Sequence, residues 1–330
     1  MSGGHRLCSF WLWQHRRIRY NTRMNENCND LQNTSSNWLD ECQNALSMII
    51  SEGGGEPDPW ITNYEILFGE EEWKDSDFNS VAKSKPITQD TEDKRKAYRA
   101  LLQCNCIGVD LTDQIFHVTT IAWLNEARKR NGFVLSRPRG WSVSWEDTMF
   151  KSLLTQAQKQ GRKYAELLVE AYMKYSYSMC WSLDADNKNV LEMAKRKHPG
   201  EDIVVISSTA EKLLSAYITD NLSVRGCFLS KMQYSTGNHL KSNELDMTEL
   251  DSGDVGTAMH HESITITHKK FEAQNEVRLI VEDCPNDLRK TTMTYRNYAT
   301  NKQEEMLIKH VDLDSIITSV KIIKNEYVIF

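Results

Sequence analysis

Residues Lys269–Asp283 read KKFEAQNEVRLIVED, and the second half of this stretch decides how the chain is read. From Gln274 onward polar and apolar residues alternate. Gln274, Glu276 and Arg278 fall on one face of an expected strand, and Val277, Leu279 and Val281 fall on the other. The apolar face can be buried in a core. The polar face sets an amide, a carboxylate and a guanidinium in a row, with neighbours roughly 6.6–7 Å apart. Two readings are open. One is a half-exposed antiparallel strand with an ion pair on its wet face. The other is a pocket in which Glu276 faces a substrate, Gln274 orients it and Arg278 stabilises the negative charge.

Composition limits what surrounds this stretch. At 330 residues and 40% hydrophobic, the chain can bury one substantial core or two smaller ones. The formal net charge is -6 and no long basic block occurs, so charge-driven binding to bulk nucleic acid is not expected. The eight cysteines are scattered without a C-x-x-C pair. That suits a reducing compartment, the cytoplasm, and neither a disulfide framework nor a zinc site. No apolar run approaches the roughly 18–20 residues of a membrane span, so no membrane partner is expected.

The chain divides into three parts. Residues 1–24 are basic and contain no acidic side chain, with an apolar patch, Phe10–Trp13, too short for a signal peptide. They are expected to be a disordered or non-native arm, with Met24 as the natural start. Residues 25–113 read as an accessory helical and irregular region with a linker. Ser36 can cap a helix through Ile49, and Trp60–Phe68 is a short apolar piece. A polar stretch from Gly69 to about Thr91 has linker composition, and Glu92–Cys104 reads as a helix with solvated charges.

A compact domain is expected over 114–330. Ile115–Thr119 reads as a strand, Thr120–Asn131 as a helix stopped by Gly132, and Phe133–Ser136 as a returning strand. Helices follow Ser144 and span about Arg162–Tyr175. Tyr177–Leu183 is a strand, Val190–Lys197 a short helix, and Ile203–Ser207 a β-branched strand leading into a helix at Ala210–Tyr217. Val224–Tyr234 reads as a strand broken at Gly226, and Ser235–Met259 as a polar loop. Ser263–Thr267, Glu276–Glu282, Thr291–Arg296, Met306–Val311 and Ser319–Ile329 complete a mostly antiparallel set. Helices first and strands afterwards make the fold class α+β. His260, His261, Glu262 and His268 lack metal-ligand spacing, and Cys180 beside Trp181 reads as core before nucleophile.

Taken in order, several short segments resemble a family. They are Ile115-Phe116-His117-Val118-Thr119, Leu135-Ser136-Arg137-Pro138-Arg139-Gly140-Trp141, Met179-Cys180-Trp181, Ile206-Ser207-Ser208-Thr209, Phe271-x-x-Gln274-x-Glu276-x-Arg278 and Val311-Asp312-Leu313-Asp314. Their order resembles the bacterial family catalogued as domain of unknown function 2971. That pattern is in turn similar to ADP-ribosyltransferases, whose split sheet grips NAD. The grip uses a first-strand His or Arg, a Ser/Thr-bearing second strand, and a late strand ending in a catalytic Glu.

The resemblance implies a split, mostly antiparallel sheet of ADP-ribosyltransferase-like type with flanking helices. It implies NAD as substrate and no metal. His117 and Thr119 would hydrogen-bond NAD at its adenosine ribose, and Ser207, Ser208 and Thr209 would support the nicotinamide ribose. Glu276, beside Arg278, would accept the ribose 2′-hydroxyl and stabilise positive charge as the glycosidic bond breaks. Gln274 would orient an unknown acceptor, protein or nucleic acid. The function implied is ADP-ribosyl transfer or NAD hydrolysis, in a toxin or defence role. The alternative is a non-catalytic nucleotide-sensing or protein-interaction module, favoured if Glu276 is buried in an ion pair with Arg278. The catalytic reading requires Glu276 to face the same cleft as His117.

Overall fold

The structure, a computed structural model, describes residues 59–69, 84–137, 176–235, 265–282, 290–297 and 302–325, with a few single positions between 155 and 161. The arm at 1–24, the helix after Ser36, the helices beyond Ser144, the loop at 236–259 and His260–Glu262 lie outside these residues. The elements run α1 (Pro59–Phe68), α2 (Glu92–Cys104), β1 (Cys106–Ile107), β2 (Gln114–Thr120), α3 (Ile121–Arg130), β3 (Val134–Ser136), β4 (Ser176–Ser182) and α4 (Lys188–Lys197). Then come β5 (Ile203–Thr209), α5 (Ala210–Tyr217), α6 (Asn221–Gly226), β6 (Cys227–Lys231), β7 (Gln233–Ser235) and β8 (Ile266–His268). A 3₁₀ turn at Lys269–Gln274 leads into β9 (Glu276–Glu282), β10 (Lys290–Asn297), β11 (Lys302–Lys309), α7 (Leu313–Ile316) and β12 (Ser319–Ile323).

Local chemistry sets the helix ends. Thr91 caps α2 by accepting from the Lys94 amide at 3.2 Å, with Glu92 and Asp93 in the first turn facing the positive end of the helix. Its Ala97, Tyr98, Leu101 and Leu102 are buried while its charges stay solvated. The helix α3 runs between the caps Thr120 and Asn131, the expected bounds, and the left-handed conformation that ends it, at φ 52°, falls on Asn131 itself. Gly132 serves close approach instead, because a methyl there would overlap the Lys309 carbonyl oxygen. The expected strand from Val224 is corrected. Asp220 accepts from the Ser223 amide at 2.7 Å while Ser223 Oγ accepts from the Asp220 amide at 3.0 Å, and this capping box starts α6 before β6 begins.

The fold is α+β. Among the described residues, ten strands form one mixed, mostly antiparallel sheet in the order β1-β6-β9-β4-β2-β5-β12, with β3, β11 and β10 joined through β4. β1 runs parallel to β6, and the other ladders of this sheet are antiparallel. One edge of β4 pairs with β9 along its whole length. Its other edge forks. Near its start Ser178 pairs with Ser136 of β3, and near its end Ser182 pairs with Phe116 of β2.

Register divides the sheet into two faces. The core face carries Ile115, Trp181, Val204, Ile206, Leu229, Val277, Leu279 and Val281, packed in one cluster with Tyr64 of α1, Leu101 of α2, Leu124 of α3, Leu213 of α5 and Ile316 of α7. Helices from the 25–113 segment therefore contribute to the same core. At about 1.5–3 kcal/mol for each large apolar side chain fully buried, this face is a major source of the driving force for folding. The opposite face carries Phe116, Ser182, Cys180, Glu276, Arg278 and Ser230 in adjoining rows. With β9 flanked by β4 and β6, every residue from Glu276 to Val281 is buried. The half-exposed reading of this strand is thus corrected: its polar side is covered as well.

Candidate functional site

The alternating face read from the sequence is only partly formed. Glu276 and Arg278 lie on β9 and share a face, but Gln274 closes the 3₁₀ turn before the strand. Asn275 between them is left-handed at φ 45°, so the chain changes direction there and the two-residue alternation does not extend to Gln274. The Gln274 side chain instead reaches Met193 Sδ of α4 at 3.9 Å, and its carbonyl accepts from Ser182 Oγ at 3.0 Å.

Glu276 and Arg278 form a buried ion pair. The guanidinium donates from Nε at 3.0 Å and from Nη2 at 2.8 Å, both to Glu276 Oε1. The two side chains are 9% and 3% exposed, so water screens the pair little. Glu276 Oε2 makes no hydrogen bond among the described residues and is not among the fully enclosed atoms without a partner. The Glu276 amide donates to Tyr234 Oη at 2.8 Å, and burial pushes the Tyr234 phenol up to about 12.

His117 and Thr119 lie on the opposite face. On β2, Phe116 aligns with Ser182 of β4, which aligns with Glu276 of β9, so His117, one residue on, points to the core side. Its ring packs 5.4 Å from Trp181 and 6.0 Å from Phe133. Its Nδ1 meets the Cys180 carbonyl at 2.8 Å, in the fork where β2 and β3 part from β4. A carbonyl can only accept, so Nδ1 carries the proton and Nε2 is the acceptor of the neutral ring. Burial lowers the His117 pKa, partly opposed by this hydrogen bond.

The Ser207-Ser208-Thr209 run is divided among three environments. Ser207 aligns with Phe116 and so shares the Glu276 face, three strand spacings or about 14 Å across the sheet. Ser208 Oγ donates to the Ile316 carbonyl at 2.7 Å on the core side. Thr209 caps α5, accepting from the Lys212 amide at 3.2 Å. The proposed NAD contacts His117, Thr119, Ser208 and Thr209 are therefore not gathered around Glu276.

Other residues, which the sequence did not single out for this role, do adjoin it. The strand between the His117 strand and the Glu276 strand is β4, and it bears its own serines. Ser182 stands directly opposite Glu276, and Cys180 directly opposite Arg278, with Ser230 of β6 on the far side. Cys180 is the one exposed residue in β4, so solvent reaches the middle of the sheet on this face. Ser178 on the same face is buried with its hydroxyl unbonded among the described residues. The signal available in the sequence was the serine and cysteine spacing at 178, 180 and 182, but strand order was needed to give it meaning. Cys106 is core, its thiol pushed up by burial. No group of three metal-ligating side chains occurs among the described residues, nor a helix long and apolar enough to cross a membrane.

Comparison with known proteins supplies no relative: no protein-family model, no curated protein and no solved structure matches the chain.

Proposed function

We propose that this chain is a non-catalytic interaction module in which the Glu276–Arg278 pair braces the centre of the sheet. The observation that carries this reading is the burial of the pair together with the placement of His117 on the other face. Removing either member breaks a buried, doubly hydrogen-bonded charge pair, so the two residues matter for folding whatever else they do. The test is incubation with NAD labelled in its nicotinamide ring, comparing the wild type with Glu276→Gln. The expected result is no nicotinamide release above the buffer blank from either protein. Release by the wild type that is lost in a folded Glu276→Gln would overturn it.

A second reading is ADP-ribosyl transfer from NAD, or NAD hydrolysis, through Glu276. It is favoured by one feature: Arg278 holds Oε1 alone, which leaves Oε2 free to accept a ribose hydroxyl beside the opening at Cys180. In that case Ser182, and not Ser207–Thr209, is the serine placed to line the site. The acceptor would enter from the same face. The scattered cysteines, with no C-x-x-C pair in the sequence, favour a reducing compartment such as the cytoplasm under either reading.

A further inference from the structure

We propose that the outer edge of β12 accepts a strand from a partner whose sequence runs apolar–acidic–apolar. The proposal deepens the interaction reading by naming the partner's chemistry, and its test is independent of NAD turnover. Among the described residues β12 ends the sheet, paired with β5 alone. Ser319, Val320, Lys321 and Ile322 are all exposed, Val320 by 36% and Ile322 by 55%.

The ladder fixes which backbone groups are open. Ile121 N donates to Asp202 O and Ala210 N to Asp113 O, so the alternate residues Asp202, Val204, Ile206, Ser208 and Ala210 turn their peptide groups toward β2. Ile203, Val205 and Ser207 then turn toward β12, where their partners are Ile323, Lys321 and Ser319. The N–H and C=O of Val320 and Ile322 face outward. An added antiparallel strand can make about four main-chain hydrogen bonds to these two residues.

Side chains decide the occupant. Val320 and Ile322 present an apolar pair on one side of the strand, with Lys321 between them on the other, joined to Asp186 at 2.9 Å in an exposed ion pair. A second copy paired antiparallel about Lys321 would set the two lysines directly opposite each other, which is destabilising. A carboxylate in the same place is stabilising. Charge therefore selects an acidic partner strand over self-association.

The experiment measures fluorescence anisotropy of the full chain with two labelled, end-blocked peptides, Thr-Val-Glu-Val-Thr and Thr-Val-Lys-Val-Thr. The glutamate peptide is expected to bind about five- to tenfold tighter. Lys321→Glu should reverse the order. Ile322→Pro, which removes an outward N–H and leaves the β5 ladder in place, should abolish binding of both peptides while circular dichroism is unchanged. Equal affinity for the two peptides, binding of neither, binding that survives Ile322→Pro, or dimerisation abolished by Ile322→Pro would each overturn the proposal.

Discussion

Glu276 and Glu282 stand at opposite ends of β9 and on the same face of the sheet, yet their surroundings differ. Glu276 is buried beside Arg278, which donates two hydrogen bonds to one of its oxygens. Glu282 is half-buried, and burial pushes its carboxyl up to about 7 from the ordinary 4.5, with no cation among the described residues to offset it. The difference lies in the neighbours: Arg278 is two residues along for the first, and Gly226 of α6 packs against the second, where an added Cβ would lie 3.2 Å from the Glu282 Cβ. A single strand thus holds one carboxylate fixed by a charge and one driven toward its neutral form.

The largest effect should come from breaking the pair. Glu276→Ala and Arg278→Ala are each expected to cost about 3–5 kcal/mol in urea denaturation, because each removes one half of a buried, doubly hydrogen-bonded charge pair. The double variant should cost clearly less than the sum; additive losses would show that the two residues do not act together.

The next effect is in pH. A folded-state pKa raised above the unfolded value means that the folded protein holds the proton more tightly. The stabilisation from Glu282 is therefore complete below about pH 4.5 and is lost as pH rises through about 7. Glu282→Gln should flatten this fall, changing the difference in stability between pH 5 and pH 8 by about 2 kcal/mol. An unchanged pH profile would remove the contrast between the two ends. His117 works in the opposite sense. Its pKa is lowered by burial, so its contribution is lost as pH falls below the ordinary histidine range of about 6.5 and the unfolded chain takes up the proton first. The Glu282 measurement is best made in His117→Gln to separate the two.

The smallest effect belongs to Gly226→Ala. The new methyl must shift the Glu282 Cβ by a few tenths of an ångström, and the expected change in stability is within about 1 kcal/mol. Its sharper readout is the Glu282 titration followed by carboxyl NMR shifts, which should move upward as the methyl excludes water from the carboxyl.

Much of the fold was legible because it rests on local chemistry. The Glu276–Glu282 strand, the Glu92–Cys104 helix and the Ala210–Tyr217 helix have the ends that alternation and capping residues suggest. The errors fall where two local preferences compete. Val224 is β-branched, but the Asp220–Ser223 capping box made that segment helical. Gln274 continues a polar alternation, but Asn275 tolerates the left-handed turn that separates it from the strand. The candidate site was less legible. Its motif order suggested three contributors to one cleft, whereas a one-residue offset between His117 and Phe116 sends the histidine to the core face.

The sequence by itself determined that Glu276 and Arg278 share a face and sit about 7 Å apart along one strand, since backbone period alone dictates this. It also determined the α+β class, through helical and two-residue periods that each bury one side. Only the tertiary structure decided that this face is buried, that Ser182 and Cys180 are its neighbours and His117 is not, and that β12 ends the sheet among the described residues. Those outcomes depend on which strands pair and in what register. A shift of one residue in register exchanges the two faces while leaving every local pattern intact.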